Sequence, residues 1–331
     1  MVSSLYVSQQ GCYVGLHQES AVVKQRGRIL SQVRLPLLEQ ILIFGRSQVT
    51  TQLIRRCLWR NIPIAYLSRM GYCYGRLMPQ ERGYRQLARD QRELSVGRRL
   101  AIARAIVAGK LRNNRTILLR QQRRTGGESL AFAIQSLDYL SQQALQAETH
   151  DKVMGLEGVG SATYFSALGH CWDDAAFVFV ARSRRPPGNP VNAMLSFGYQ
   201  ILWNHLLALI ELQGLDPYDA SLHQGSERHA ALASDLVEEF RAPLIDSLVL
   251  YLINNRILHP QDDFRSVEGA CYLNDAGRRQ YLKAFLQRME AHIQTDTDAQ
   301  APRWELLARQ VKRYRDCVRD PRLPYQPYRI R

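Results

Sequence analysis

VGRRLAIARAIVAGKLRNNRTILLRQQRR, residues 96–124, is the long run that shows the chain has changed its period, a change that begins at about Arg85. Leu100, Ala103, Ile106, Val107 and Leu111 recur at three- and four-residue intervals, the spacing of one helix face, and arginines occupy the rest. Before this stretch the signals are short and strand-like: Ser3–Val7, Tyr13–His17, Ala21–Gln25 and Arg28–Arg34, separated by glycine or polar residues. Ser47 then reads as the N-cap of a helix in QVTTQLIRRCLWR, where Leu53, Ile54, Cys57 and Leu58 share a face. IPIAYLS and YCYGRLM, joined by Arg69-Met70-Gly71, read as strand, turn and strand. After residue 124 the chain reads as helices: SLAFAIQSLDYLSQQALQ, Lys152–Leu168, Asn192–Gln213, about Ser226–Arg241, Pro243–Asn254, Ala276–Gln294 and Trp304–Cys317. The longest stretch without a helix signal is Cys171–Val191, where Pro186, Pro187, Gly188 and Pro190 force extended and turned backbone. A β-rich domain with one helix is expected over residues 1–80, and a larger helical domain over 81–331.

Length and composition agree with a folded, two-domain chain. The 331 residues are 46% hydrophobic and 22% charged, close to globular averages, so a packed core is within reach. The six cysteines include no CxxC pair, which excludes a zinc ribbon and a thioredoxin-like redox centre. The opening MVSSLYVSQQGCYVG lacks the basic and apolar segments of a signal peptide. The most apolar window, ILWNHLLALIELQGL, is broken by Asn204, His205 and Glu211, so a membrane span is not expected and a cytoplasmic location is.

The charge is unevenly distributed. With 44 Lys+Arg against 30 Asp+Glu the formal net charge is +14. Arg82–Arg124 holds thirteen bases and two acids, and Arg303–Arg331 nine bases and three acids, whereas His205–Asp263 holds ten acids and three arginines. Arginine-rich stripes are the electrostatic footprint of nucleic-acid binding, since the guanidinium fork matches phosphate. Carboxylates repel phosphate unless a cation stands between them. The combination therefore points to metal-assisted chemistry on DNA or RNA.

The acidic stretch contains LHQGSERHAALASDLVEEFRAPLID, with Ser226 as a candidate N-cap and Pro243 interrupting the helix. Asp235 and Glu238 stand i,i+3 on one face, with Glu239 rotated away. His223 precedes the helix closely enough to fold back onto those carboxylates. Such ligands, without cysteine, suit Mg²⁺ or Mn²⁺. A third carboxylate is expected from Glu157 in MGLEGVGSATYFSALG, whose Gly155, Gly158 and Gly160 imply close approach of a DNA backbone or a crossing helix. Each piece also has an ordinary structural reading: acid pairs at i,i+3 are common on exposed helices, and a single histidine is more often a surface or core residue than a ligand.

GLEGVGSATYF, RSRRPPGNPVNAMLSFGYQIL and LHQGSERHAALASDLVEEFRAPLID, followed by the closing YQPYRIR, resemble the hallmark segments of the CRISPR-associated integrase family, CRISPR-associated protein one. The likeness covers essentially the whole chain. It implies an α+β fold, with a small N-terminal β-sandwich-like domain that forms a homodimer and a larger all-α C-terminal catalytic domain. It carries the metal ligands onto Glu157, His223 and Glu238, with Asp235 as an accompanying acid that binds a second ion, orients a water or accepts a proton; Glu239 matches no ligand position. The implied reaction is spacer acquisition: the 3′-OH of a short DNA fragment attacks a phosphodiester at the edge of a CRISPR repeat, and attack by water gives endonuclease activity. Arg182, Arg184, Arg185, Tyr164 and Arg241 are candidate DNA contacts; the alternatives are salt bridges to the acidic stretch for the first three, a core position for Tyr164 and pairing with Glu238 for Arg241. The implied partners are DNA, a second copy of the chain and the small CRISPR-associated protein two. The alternatives are a repair nuclease acting on branched DNA and a non-catalytic basic scaffold.

Overall fold

The computed structural model describes residues 4–330 apart from 8, 39, 69–72, 80–83, 126–128, 173, 185, 227–228 and 295–299. The expected turn at Arg69-Met70-Gly71 lies outside the described residues.

The first part of the chain forms eight strands, β1 (Ser4–Val7), β2 (Tyr13–His17), β3 (Ser20–Gln25), β4 (Arg28–Arg34), β5 (Gln40–Phe44), β6 (Gln48–Val49), β7 (Ile64–Leu67) and β8 (Cys73–Leu77), with helix α1 (Thr51–Trp59) between β6 and β7. They make two sheets, ordered β1-β5-β7-β8 and β4-β3-β2-β6. Leu5, Val7, Ile41, Ile43 and Ile64 of one sheet share a core with Val14, Ala21 and Val23 of the other and with Leu53 and Cys57 of α1. This is the sandwich arrangement, with alternate residues of each strand turned inward. β3 and β4 turn through Arg26 and Gly27, both at positive φ, as a two-residue hairpin requires.

Two local readings need correction. Thr50, not Ser47, caps α1, its hydroxyl accepting the Leu53 amide N–H. Gln48 and Val49 are drawn instead into β6 by pairing with β2, so the helix starts later. The strand QILIF, residues 40–44, has no counterpart among the expected elements. It runs parallel between β1 and β7 and is buried along its whole length, so it shows no alternation.

Among the described residues nine further helices account for most of the rest: α2 (Tyr84–Arg92), α3 (Val96–Thr125), α4 (Ala131–Gln146), α5 (His150–Leu168), α6 (Pro190–Leu212), α7 (Ala231–Phe240), α8 (Ser247–Asn254), α9 (Asp275–Glu290) and α10 (Trp304–Arg319). A hairpin, β9 (Phe264–Val267) with β10 (Ala270–Leu273), interrupts the helices, and β11 (His292–Gln294) pairs with β12 (Gln300–Pro302). α6 is long and apolar enough to cross a bilayer, but 67% of its most apolar window is buried inside the protein, as in a core helix.

By contact the chain forms two compact units, Met1–Glu93 with Asn204–Pro217 and Ala291–Arg319, and Leu94–Trp203 with Tyr218–Glu290 and Asp320–Arg331. The linear partition at residue 80 follows the change of period; the contact partition is a different one, because α2, α10 and the end of α6 group with the sheets. The first unit carries an aromatic cluster of Tyr6, Phe44, His205 and Trp304, with ring centroids 4.7–6.3 Å apart. In the second unit α3, α4 and α5 pack together. Gly160 lets α5 approach α3, since a Cβ there would lie 2.2 Å from Leu111 Cδ2. Gly155 and Gly158 face open space, so of the three glycines only Gly160 answers to a crossing helix.

Candidate active site

All described candidates belong to the second unit, and they fall into two layers. α7 begins at Ala231, five residues after the expected cap Ser226, because the preceding loop folds back over the helix. The organiser of that fold is Asp235. Its Oδ2 accepts the Ser221 and Leu222 amides at 2.8 Å each, and its Oδ1 accepts the His223 amide at 2.8 Å and the imidazole Nδ1 at 2.9 Å. Asp235 is 0% exposed and its carboxylate is fully used, so of the roles left open for it the structure supports positioning. With Nδ1–H given to Asp235, His223 Nε2 is left as an acceptor in the neutral ring. Burial alone would lower the imidazole pKa; the Asp235 hydrogen bond and charge reverse that and raise it.

The inner layer is a pair of carboxylates on one cation. α5 presents Glu157, α7 presents Glu238, and between them lies the ammonium of Lys110 from α3. Lys110 Nζ binds Glu157 Oε1, lies 2.7 Å from Glu238 Oε2 and 2.9 Å from Ser161 Oγ, and its side chain is 4% exposed. Glu238 Oε1 pairs with Arg241 Nη1 at 2.8 Å. Burial would raise the Glu238 pKa, but Arg241, Lys110 and His223 overcome it and hold the carboxyl at about 2. Burial and the neighbouring Glu238 likewise oppose ionisation of Glu157, and Lys110 outweighs them. Both acids are therefore ionised at neutral pH.

Pro243 shapes the far end. Lacking an N–H, it cannot bond the Glu239 carbonyl, and Arg241–Asp246 relaxes into a wide π-type turn that runs on into α8 instead of ending the helix. The freed Glu239 carbonyl accepts from Asn113 Nδ2 of α3 at 2.9 Å. The Glu239 carboxylate anchors the C-terminal tail, accepting from Tyr325 Oη and, at 2.6 Å, the Tyr328 amide. Its role is structural, as expected. Asn113 also donates to the Tyr328 carbonyl and accepts the Ile330 amide, and Tyr328 stacks on Phe240 with centroids 4.9 Å apart. The tail thus bolts together the two helices that carry Lys110 and Glu238.

The DNA-contact candidates separate sharply. Tyr164 is 1% exposed and donates to Asp246 Oδ2 at 2.9 Å, so it is a core residue and not a stacking platform. Tyr199 donates to Asp246 Oδ1 at 2.5 Å. Burial dominates at Asp246 and raises its pKa despite both donors. Arg241 pairs with Glu238 and lies over the Tyr199 ring, 4.9 Å from its centroid, so of its two expected partners the structure shows Glu238. Arg182 is spent on Asn192 Oδ1 and Ser196 Oγ, both at 2.8 Å, and braces the proline-rich bend. Arg184 is exposed, has no ion pair among the described residues, and lines a cavity of about 470 Å³ with Phe197, Tyr272 and Arg278. Arg185 lies outside the described residues.

Among the described residues no three His, Cys, Asp or Glu side chains form a ready ion cage. Of the three expected ligands, Glu157 and Glu238 meet on one cation, and that cation is Lys110. The donor set nonetheless fits a hard divalent ion: two ionised carboxylates already share a positive charge, Glu238 Oε2 has no well-directed hydrogen bond, and Asp235 orients the His223 ring through Nδ1, which leaves Nε2 as its remaining nitrogen. Lys110 was not among the expected site residues. Its signal was present, a charge at i+4 from Ile106 and i+3 from Val107, on the apolar face of α3.

Comparison with known proteins gives one consistent family. Residues 5–287 match the family model described as CRISPR associated protein Cas1. The chain is 31% identical over 301 residues to a "CRISPR-associated endonuclease Cas1 1" of Chlorobaculum tepidum, covering 88% of each. It is 33% identical over 300 residues to a "CRISPR-associated exonuclease Cas4/endonuclease Cas1 fusion" of Geobacter sulfurreducens, covering 87% of this chain and 53% of that one, so it spans about half the length of such fusions. Among solved structures, a chain of a "Partial Cas6-RT-Cas1--Cas2 complex" matches with TM-score 0.85 and 25% identity over 99% of both chains.

Proposed function

The chain belongs to the CRISPR-associated protein Cas1 family, and we propose that it is a metal-dependent DNA integrase and endonuclease that inserts short fragments into a CRISPR array. The observation that carries this reading is the meeting of Glu157 and Glu238 on a single cation beside a histidine oriented by Asp235. Glu157, Glu238 and His223 Nε2 would hold Mg²⁺ or Mn²⁺. When bound, the ion polarises the phosphoryl oxygen and lowers the pKa of the attacking hydroxyl.

In the reaction a new bond forms between the fragment's 3′ oxygen and phosphorus as the repeat's own P–O bond breaks. Bonds made and lost are alike, so no nucleotide cofactor is consumed. Asp235 fixes the tautomer and direction of His223, Arg241 keeps Glu238 ionised, and Arg184 meets the phosphate backbone. Water in place of the 3′-OH gives hydrolysis at the same centre.

The relatives' names support an endonuclease and the small CRISPR-associated protein two as partner, and DNA as substrate and a homodimer through the β-rich region complete the reading. The test is a half-site integration assay with fragments carrying a free or a blocked 3′-OH. A basic scaffold would show no joining, and a branched-DNA repair nuclease would cleave without forming a stable complex with the small partner.

A further inference from the structure

We propose that the Lys110 ammonium is a tethered stand-in for the divalent ion: it keeps Glu157 and Glu238 drawn together in the ion-free protein and swings out of the carboxylate pair when the ion enters. This rests on the metal-ion reading of the site given above.

Charge supplies the first argument. Lys110 and Arg241 balance Glu157 and Glu238 one for one in a largely buried pocket. A divalent ion added to that set would leave surplus positive charge with little solvent to screen it. One cation must leave. Arg241 is pinned by its bond to Glu238 and by the Tyr199 ring beneath it. Lys110 also donates to Glu157 Oε1 and Ser161 Oγ, but it stands between the two carboxylates, 2.7 Å from Glu238 Oε2, in the place an ion shared by them would take, so it is the cation an entering ion displaces.

Residue choice supplies the second. The chain has only five lysines among its 44 basic residues. Lys24, Lys152 and Lys283 are exposed and Lys312 half-buried; the fifth sits between the two acids. Where arginine is the rule, a compact charge on a flexible four-carbon stem at this one buried position fits a group that must release its partners, whereas a guanidinium would lock them in a fork. The backbone under it is fixed, because Pro327 of the tail covers Gly109 so closely that a Cβ there would lie 2.5 Å from Pro327 Cβ. The side chain moves and the helix does not.

The test is Mn²⁺ binding to the full chain, followed by calorimetry or by loss of the free-ion electron paramagnetic resonance signal, for wild type and Lys110→Met. Lys110→Met is expected to bind Mn²⁺ at least tenfold more tightly, with an ion-free Tm below wild type that saturating Mn²⁺ restores. Wild-type binding with equal or weaker binding by Lys110→Met overturns the stand-in role and leaves the metal reading intact; no binding by wild type overturns both. Should Lys110→Met not fold, wild type labelled with ¹³C at the lysine Cε carbons serves instead. One of its five signals should move to the exposed-lysine position on adding Mg²⁺, and five unmoved signals with Mg²⁺ bound would contradict the proposal.

Discussion

Asp235 takes both the imidazole Nδ1 and the backbone N–H of His223 on one oxygen, Oδ1, at 2.9 and 2.8 Å. That double hold fixes the ring's tautomer and its direction at once. In Asp235→Asn the amide can present N–H to the ring and invert its tautomer. Strand joining should fall by about 10–100-fold, the usual cost of losing a carboxylate behind a liganding histidine, while duplex affinity measured by fluorescence anisotropy stays within about twofold of wild type. Unchanged joining would remove Asp235 from the site.

Glu239 is a buried carboxylate whose charge is met by Tyr325 Oη and the Tyr328 amide. Tyr325→Phe removes one of those donors and leaves the ring in place. A stability loss of about 1.5–3 kcal/mol is expected from urea unfolding, the range for a hydrogen bond to a charged group.

Arg184 and Arg182 stand two residues apart and should behave oppositely. Arg184→Ala should weaken DNA binding uniformly across sequences and reduce the salt slope by about 1, with Tm unchanged. Arg182→Ala removes the brace to Asn192 and Ser196, so it should lower Tm. Equal effects of the two on the salt slope would contradict this division.

His205 is fully buried among Tyr6, Phe44 and Trp304 with no hydrogen-bond partner for either ring nitrogen, and burial pushes its pKa down to about 3. The folded protein therefore holds a neutral imidazole that the unfolded chain protonates below about 6.5. This contribution to stability is complete above that value and is lost as pH falls toward 3. Between pH 6.5 and 5 the loss amounts to about 2 kcal/mol. Urea unfolding of wild type and His205→Phe at pH 7.5 and 5.0 should show that part of the acid sensitivity in wild type alone.

Much of this architecture was legible along the chain. The change of period from about residue 85 separated strands from helices, and α3 to α6 fell close to their expected limits because long amphipathic runs are strong signals. β5 was hidden because a strand buried on both faces has no alternation to read. The hairpin β9–β10 was hidden among helices, although Glu268 and Gly269, both at positive φ, form its tight turn. At the site, the positions of Glu157, His223, Asp235 and Glu238 carried their own spacing logic. What the residues could not tell was commitment. Tyr164, Arg182 and Arg241 each allowed a DNA contact or an internal partner in sequence, and the fold commits them to Asp246, Asn192 and Glu238. Lys110 was read as one more base in an arginine-rich stripe, and only the crossing of α3 with α5 and α7 turns it toward the acids.

The most direct test of the central claim is half-site joining by Glu157→Gln, assayed with Mn²⁺ and a labelled fragment bearing a free 3′-OH. At least a hundredfold loss of joined product is expected with fragment affinity held near wild type, and no product from the 3′-blocked fragment with either protein. Joining by Glu157→Gln at the wild-type rate would contradict the claim.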